Sequence, residues 1–162
     1  MREEPDPGDV FTYEARRRWF RRRVGAAQIL GHHDAEGIVC LRVLDVTGNE
    51  LNTLIEFMPI TVSAFRASKP GVVKRLELPV GWESRRDEWV AEWKAGRAGV
   101  FSIPIGEAVQ KILETVDYFV ALSRGEHVSI ELAFPQRSSS NQFDAIKAFV
   151  RTDTFSTGQE RT

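Results

Sequence analysis

The sequence contains little cysteine and little histidine. Of its 162 residues, one is cysteine (Cys40) and three are histidine. A single thiol forms no intramolecular disulfide, and a zinc site built on thiolates needs further cysteines. The composition therefore excludes a disulfide-built secreted domain and predicts a reducing compartment.

Long apolar runs are also absent. No segment approaches the roughly 20 apolar residues that a membrane span needs, so we expect no membrane contact. Residues 1–9 are acidic and proline-rich, typical of neither a signal peptide nor a transit peptide. The length predicts one domain. We expect a disordered tail over residues 1–8, a single domain over residues 9–135, and a polar linker, candidate short helix and tail over residues 136–162.

Charge is more informative locally than globally. The chain has 22 basic and 23 acidic residues, and this net charge of −1 does not by itself indicate a nucleic-acid partner. However, six of the basic residues lie in one arginine-rich segment, residues 16–23. The whole segment consists of Arg16, Arg17, Arg18, Trp19, Phe20, Arg21, Arg22 and Arg23. The planar guanidinium suits phosphate and stacks on bases, so the segment is typical of a nucleic-acid-binding edge. The alternatives are a solvated charged face or a surface for an acidic partner.

Hydrophobic periodicity predicts several elements in the first half. We expect strands over residues 24–30 and 38–46, with residues 51–57 forming the second arm of a hairpin. Thr61 is a candidate N-cap for a short helix through Phe65. Residues 11–20 fit either a basic helix or an extended arm.

The second half predicts strands over residues 72–79, 100–103 and 128–134. Apolar residues recur at helical spacing over residues 106–123, which predicts a long helix ending before Gly125. Residues 142–150 are assigned as a short helix. Residues 89–95 fit both periods, since Trp89 and Trp93 are spaced as in a helix but also fall on alternate positions.

A short repeat favours the strand assignment for residues 89–95. Pro-Ile occurs at Pro59-Ile60 and again 45 positions later at Pro104-Ile105, each time after an apolar strand and before a helix. Two copies of a unit of several strands and a helix would make residues 88–97 a strand. The predicted fold class is therefore α+β, with two β-sheet-plus-helix units, antiparallel sheets and a long C-terminal helix.

The order of these segments over residues 16–125 resembles a known family. The similar stretches are residues 22–27, 37–41, 74–79, 100–105 and 117–120. Within them, Phe101-Ser102-Ile103-Pro104-Ile105 leads into the predicted long helix. This order is similar to the Whirly-type fold, shared by plant Whirly single-stranded DNA-binding proteins and the mitochondrial guide-RNA-binding proteins of kinetoplastids. The second branch is the more similar.

The resemblance implies two packed four-stranded sheets and a tetramer assembled through the helices, with one chain type or with a related subunit. It implies single-stranded RNA, or single-stranded DNA, held through its phosphates on the sheet surface. The implied activity is noncatalytic RNA annealing of guide RNA to mRNA during RNA editing. The implied location is the mitochondrial matrix for a mature chain, and otherwise the cytoplasm.

The arginine-rich segment is the main candidate for phosphate contact. Lys69, Lys74 and Arg75 are candidates for extending this basic surface, with ordinary surface charge as the alternative. Trp19 and Phe20 are candidates for base stacking, with burial in the core as the alternative.

The remaining notable residues favour structural roles. Four basic residues near acidic ones favour intramolecular ion pairs: Arg85, Arg86, Lys94 and Arg97. Three tryptophans favour core or subunit contacts: Trp82, Trp89 and Trp93. Residues 32–34, His-His-Asp, lack a further ligand at metal-binding spacing and are assigned to a polar turn. Cys40, within an apolar strand, is assigned as a buried thiol.

Three classes of function follow. The first is noncatalytic binding of single-stranded RNA without a cofactor. The second is an oligomeric scaffold for protein partners, which the near-zero net charge favours. The third is an enzyme built on His32, His33 and Asp34, and we find no phosphate loop, nucleophile elbow or carboxylate pair that would support an enzyme.

Overall fold

The structure is a computed structural model that describes residues 6–15, 23–33, 37–47, 50–137 and 146–153. These residues form one seven-stranded sheet and four short helices. The order of strands across the sheet is β5-β1-β2-β3-β4-β6-β7. All neighbours are antiparallel except β4 and β6, which are parallel.

Four consecutive strands make the centre of the sheet. They are β1 (Asp9–Ala15), β2 (Arg23–His33), β3 (Ile38–Thr47) and β4 (Glu50–Thr61). Their branched apolar residues fall on both faces, as a sheet covered on both sides requires. The strands predicted over residues 24–30, 38–46 and 51–57 are confirmed. Residues 11–15 are extended, whereas residues 16–20 lie outside the described residues.

The predicted short helix is confirmed as α1 (Val62–Ala67). The Thr61 hydroxyl accepts a hydrogen bond from the Ala64 amide at 3.2 Å, which satisfies one of the free amides of the first turn. After the helix, the buried Ser68 hydroxyl donates to the Ala64 carbonyl and accepts from the Ile105 amide, both at 2.9 Å. This hydroxyl therefore joins the end of α1 to the start of the next helix on the same face of the sheet.

The strand predicted over residues 72–79 is shorter in the structure, and the strand predicted over residues 88–97 is wrong. β5 covers Gly71–Arg75 and pairs with β1 at the sheet edge, and α2 then covers Trp82–Lys94. The Trp89 and Trp93 rings lie on one side of this helix with centroids 5.4 Å apart. Their i,i+4 spacing therefore reflects the period of a helix, and their placement on alternate positions does not indicate a strand.

The single long helix predicted over residues 106–123 is also wrong. α3 (Ile105–Thr115) ends where Val116 adopts an extended conformation, with φ −98° and ψ 154°, and α4 (Tyr118–Ser123) begins anew. The Thr115 hydroxyl donates to the Lys111 carbonyl at 2.8 Å, a contact that competes with the helical ladder. Val116 then packs against the core instead of continuing the helix. In the described part of the chain, no helix has the length and apolar character needed to cross a membrane.

Two further strands complete the sheet. β6 (His127–Pro135) confirms the strand predicted over residues 128–134, and β7 (Ile146–Asp153) pairs with it in antiparallel fashion. Residues 146–150 therefore belong to a strand, which corrects the short helix predicted over residues 142–150. The strand predicted over residues 100–103 is reduced to a single bridge between Phe101 and Ile60.

The predicted α+β fold of two repeated sheet-plus-helix units is therefore wrong. The described residues form one mixed seven-stranded sheet with short helices, and none of the helices among them is the predicted long C-terminal helix. The repeat failed because its two prolines occupy different places: Pro59 lies inside β4 opposite Cys40, whereas Pro104 is the N-cap of α3. A shared dipeptide did not mark a shared unit.

Helices cover both faces of the sheet. On the first face, Val39 and Leu41 pack with α1 and α3 in the main core, which also contains Phe11 and Phe101. On the second face, the alternate residues of β3, Ile38 and Cys40, pack against α2 in a second core. Successive side chains of a strand point to opposite faces, so this alternation defines a three-layer arrangement.

Candidate nucleic-acid interface

The arginine-rich segment joins two paired strand ends. Ala15, the last residue of β1, is opposite Arg23, the first residue of β2. The other predicted contact residues of the segment lie outside the described residues: Arg16, Arg17, Arg18, Trp19, Phe20, Arg21 and Arg22. The paired residues Ala15 and Arg23, which flank the segment in the sequence, mark one end of the sheet, which we call the arginine end.

Lys69 is brought toward this arginine end. β5 runs antiparallel to β1 with Gly71 opposite Thr12, so the chain before Gly71 lies on the side of Ala15. Lys69 is exposed and has a positive φ of 51°, within the turn between α1 and β5. It makes no ion pair with any described residue, so its charge is available to solvent.

The structure places Lys74 and Arg75 away from the arginine end. Lys74 is opposite Val10 and Arg75 is opposite Asp9, at the start of β1. At about 3.3 Å per residue, Lys74 is about 10 Å further along the edge than Gly71. The Arg75 guanidinium donates to the Pro7 carbonyl at 3.0 Å, which ties the chain before β1 to this edge.

The three tryptophans predicted to make core or subunit contacts all pack in the second core or against it. Trp89 is fully buried in the second core, and its indole N–H donates to the Gly99 carbonyl at 3.1 Å. Trp82 and Trp93 are partly buried against the same core. The Arg137 guanidinium lies 3.9 Å from the centre of the Trp93 ring. These rings are therefore engaged within the chain.

Of the four basic residues predicted to form intramolecular ion pairs in and just after α2, three do so. The contacts are Arg85–Glu88 at 3.8 Å, Arg86–Asp87 at 3.4 Å and Arg97–Glu92 at 2.9 Å. The hydrogen bond from Arg97 lowers the pKa of the Glu92 carboxyl. Lys94 is exposed and forms no such pair among the described residues.

The histidines and the cysteine make no described metal site. His32 and His33 lie in β2, not in the predicted turn, and the His33 ring meets Trp89 edge-on with centroids 5.6 Å apart. Asp34 lies outside the described residues. Within the described ranges, no three His, Cys, Asp or Glu side chains are grouped to hold a metal ion. Cys40 is the predicted buried thiol, and burial raises its pKa to about 12.

One polar cluster on the second face was missed by sequence reasoning. Gln28 and Arg42 are opposite each other on β2 and β3, among apolar neighbours. Gln28 is completely buried, and Arg42 is partly buried, which lowers the pKa of its guanidinium. The signal was present in the sequence, since a Gln and an Arg interrupt two of the most apolar strands.

The chain matches no protein-family model, no curated protein and no solved structure. The function is therefore argued from the chain's own residues and their placement.

Proposed function

We propose that the protein is a noncatalytic single-stranded nucleic-acid-binding protein that holds phosphates with its arginine-rich segment. The observation that carries the proposal is the position of this segment between the paired ends of β1 and β2. Six of the 22 basic residues lie in this segment, and the rest of the chain carries a net charge of 16 − 23 = −7.

Chain connectivity supports the concentration of charge. Each of residues 16–22 is within four residues of Ala15 or Arg23, and four residues span at most about 14 Å. Six arginines are thus concentrated in eight consecutive positions of the chain, and Lys69 lies toward the strand ends that flank them. Such a density of arginine attracts the phosphate backbone strongly and without sequence preference.

RNA is the expected partner, and annealing is the expected consequence. A surface that neutralises phosphates lowers the repulsion between two strands and so speeds their pairing. The preference for RNA over DNA, the annealing activity, the role in RNA editing and the mitochondrial location depend on the Whirly resemblance alone and stay predictions.

The test is fluorescence anisotropy with labelled single-stranded RNA and DNA of one sequence. The full chain is compared with a variant carrying Arg21→Ala, Arg22→Ala and Arg23→Ala. A matched control removes three exposed charges elsewhere through Arg66→Ala, Lys94→Ala and Arg124→Ala. We expect the first variant to lose most of the affinity and the control to retain it. Equal affinities in both variants, or no binding by the wild type, would refute the proposal.

A second candidate, the oligomeric scaffold, is favoured by the two outermost strands described. Val72 and Val73 of β5 are 60% and 59% exposed, and Phe149 of β7 is 50% exposed. Apolar residues on an open sheet edge favour pairing with another chain. Freshly purified protein distinguishes the two candidates, because only the nucleic-acid binder carries nucleic acid, detected in its ultraviolet absorbance ratio.

A further inference from the structure

A polar cavity of about 280 Å³ lies on the second face of the sheet, beside the start of α2. Its charged lining consists of Arg42, Arg85, Arg151 and Glu56, and Thr53 adds a hydroxyl. The lining residues lie on strands β3, β4 and β7, in the turn before α2 and in the first turns of α2. None of the described residues that line the cavity belongs to the arginine-rich segment.

Arg42 is held in place by a buried glutamine. The two N–H groups of the Gln28 amide are shared among the carbonyls of Gly8, Leu76 and Glu77, which lie 3.3, 2.8 and 3.2 Å from the amide nitrogen. These contacts fix the orientation of the amide, so its oxygen faces Arg42 and accepts from both Nε, at 2.9 Å, and Nη2. The guanidinium is thus fixed before any ligand arrives.

Arg42 retains both hydrogen-bonding capacity and charge. Its third hydrogen bond runs from Nη1 to the Thr53 hydroxyl at 3.0 Å, which leaves two of the five guanidinium N–H groups for another acceptor. Both partners are neutral, and no described carboxylate forms an ion pair with Arg42. A partly buried charge ordinarily has a counter-ion, so an anion would complete this arrangement.

The carboxylates around the cavity disfavour a highly charged anion. Arg85 lies 3.6 Å from Glu56, 3.4 Å from Glu131 and 3.8 Å from Glu88, so it already faces carboxylates of the chain. Glu56 lines the same cavity as Arg42. A carboxylate would bring a single negative charge to Arg42, whereas a phosphate dianion would bring two and face Glu56 across the cavity.

The rest of the lining is apolar. Pro79 and Val80, in the turn that leads into α2, and Trp82, the first residue of α2, form an apolar wall. The Trp82 ring passes so close to Gly31 that a Cβ there would lie 2.9 Å from it, which fixes the ring against the sheet. An apolar wall beside a charged fork suits a ligand with an apolar body and one acidic group.

We propose that this cavity is a binding site for a small carboxylic acid with an apolar body, whose carboxylate pairs with the Arg42 guanidinium. The Arg–carboxylate pair is bidentate in its strongest form, which a planar fork provides and a lysine does not. The proposal is independent of nucleic-acid binding.

The test is a titration of the 15N-labelled full chain, followed by NMR at the Trp82 indole N–H and the Arg42 Nε–H. The probes are benzoate, acetate and inorganic phosphate, each exchanged for chloride at constant ionic strength. The variants are Arg42→Lys, which keeps the charge but not the fork, and Arg42→Gln. The control is Arg66→Gln, at an exposed site on α1.

We expect benzoate to produce saturable shifts confined to the cavity, with weaker binding of acetate and weakest binding of phosphate. Affinity for benzoate should fall by about tenfold or more in Arg42→Lys and stay unchanged in Arg66→Gln. If Arg42→Gln does not fold, Arg42→Lys decides. No saturable shift with benzoate, unchanged affinity in Arg42→Lys, or tighter binding of phosphate than of either carboxylate would each overturn the proposal.

Discussion

Replacing Gly25 by alanine should destabilise the protein through one steric conflict. Gly25 on β2 is opposite Tyr13 on β1, and the tyrosine ring covers the glycine. A Cβ at position 25 would lie 2.2 Å from Tyr13 Cζ and 2.4 Å from its hydroxyl oxygen. Tyr13 is 5% exposed and belongs to the main core, so its ring cannot move aside without disturbing other contacts.

The expected cost follows from overpacking. Forcing an extra carbon into a filled site costs about 1–3 kcal/mol. For a chain of this size, each kcal/mol lowers the melting temperature by about 2–4 °C, so Gly25→Ala should lower it by about 2–12 °C. Urea unfolding of wild type and variant, monitored by circular dichroism, measures the free energy directly.

Two comparisons isolate the cause. Gly71→Ala is the matched control, because a Cβ there would lie 3.5 Å from the Thr12 hydroxyl oxygen, an ordinary contact. In a Tyr13→Ala background the conflict is gone, so adding Gly25→Ala should cost much less than in the wild type. An equal cost in both backgrounds, or a wild-type stability for Gly25→Ala, would refute the reasoning.

Three further outcomes are expected. Ser68→Ala should cost about 1–3 kcal/mol in urea unfolding, because it leaves the buried Ile105 amide without its acceptor, whereas exposed Ser63→Ala should cost much less. Cys40 should resist thiol reagents near neutral pH until the chain unfolds. Its raised pKa means that stability from the protonated thiol is present below about pH 8.5 and declines as pH rises toward 12. Arg97→Gln should raise the pKa of Glu92 toward its ordinary value, measured by carboxyl NMR. In the wild type this pair contributes stability above the ordinary glutamate pKa, which is lost as pH falls through the lowered one.

A specific result would contradict each of these three predictions. Equal stabilities of the Ser68 and Ser63 variants would mean that the bond between α1 and α3 is not formed. Rapid modification of Cys40 in the folded chain would mean that β3 is open to solvent. An unchanged Glu92 pKa after Arg97→Gln would mean that the pair does not persist in solution.

Local patterns predicted β2, β3, β4, β6 and the first helix well. β3 and β4 are separated by two residues in the sequence, and Thr61 caps α1 through its own side chain, so neighbouring residues suffice to define them. The errors came where one pattern fits two structures, as at Trp89 and Trp93, or where a β-branched residue ends a helix, as at Val116.

The sheet as a whole could not be read from the sequence. β5 pairs with β1, and β6 pairs in parallel with β4, across long stretches of chain that no local pattern connects. The same limit applies to the sites. The arginine-rich segment is visible as a charge cluster, whereas the setting of Arg42 depends on Gln28 and the distant residues Leu76 and Glu77.

The most direct test of the central claim is the salt dependence of RNA binding. Each phosphate neutralised on a single strand contributes about 0.7 to the slope of log affinity against log salt. The Arg21→Ala, Arg22→Ala, Arg23→Ala variant should therefore have a slope shallower by about 2 than that of the wild type. Equal slopes, or binding that does not respond to salt, would contradict phosphate contact by the arginine-rich segment.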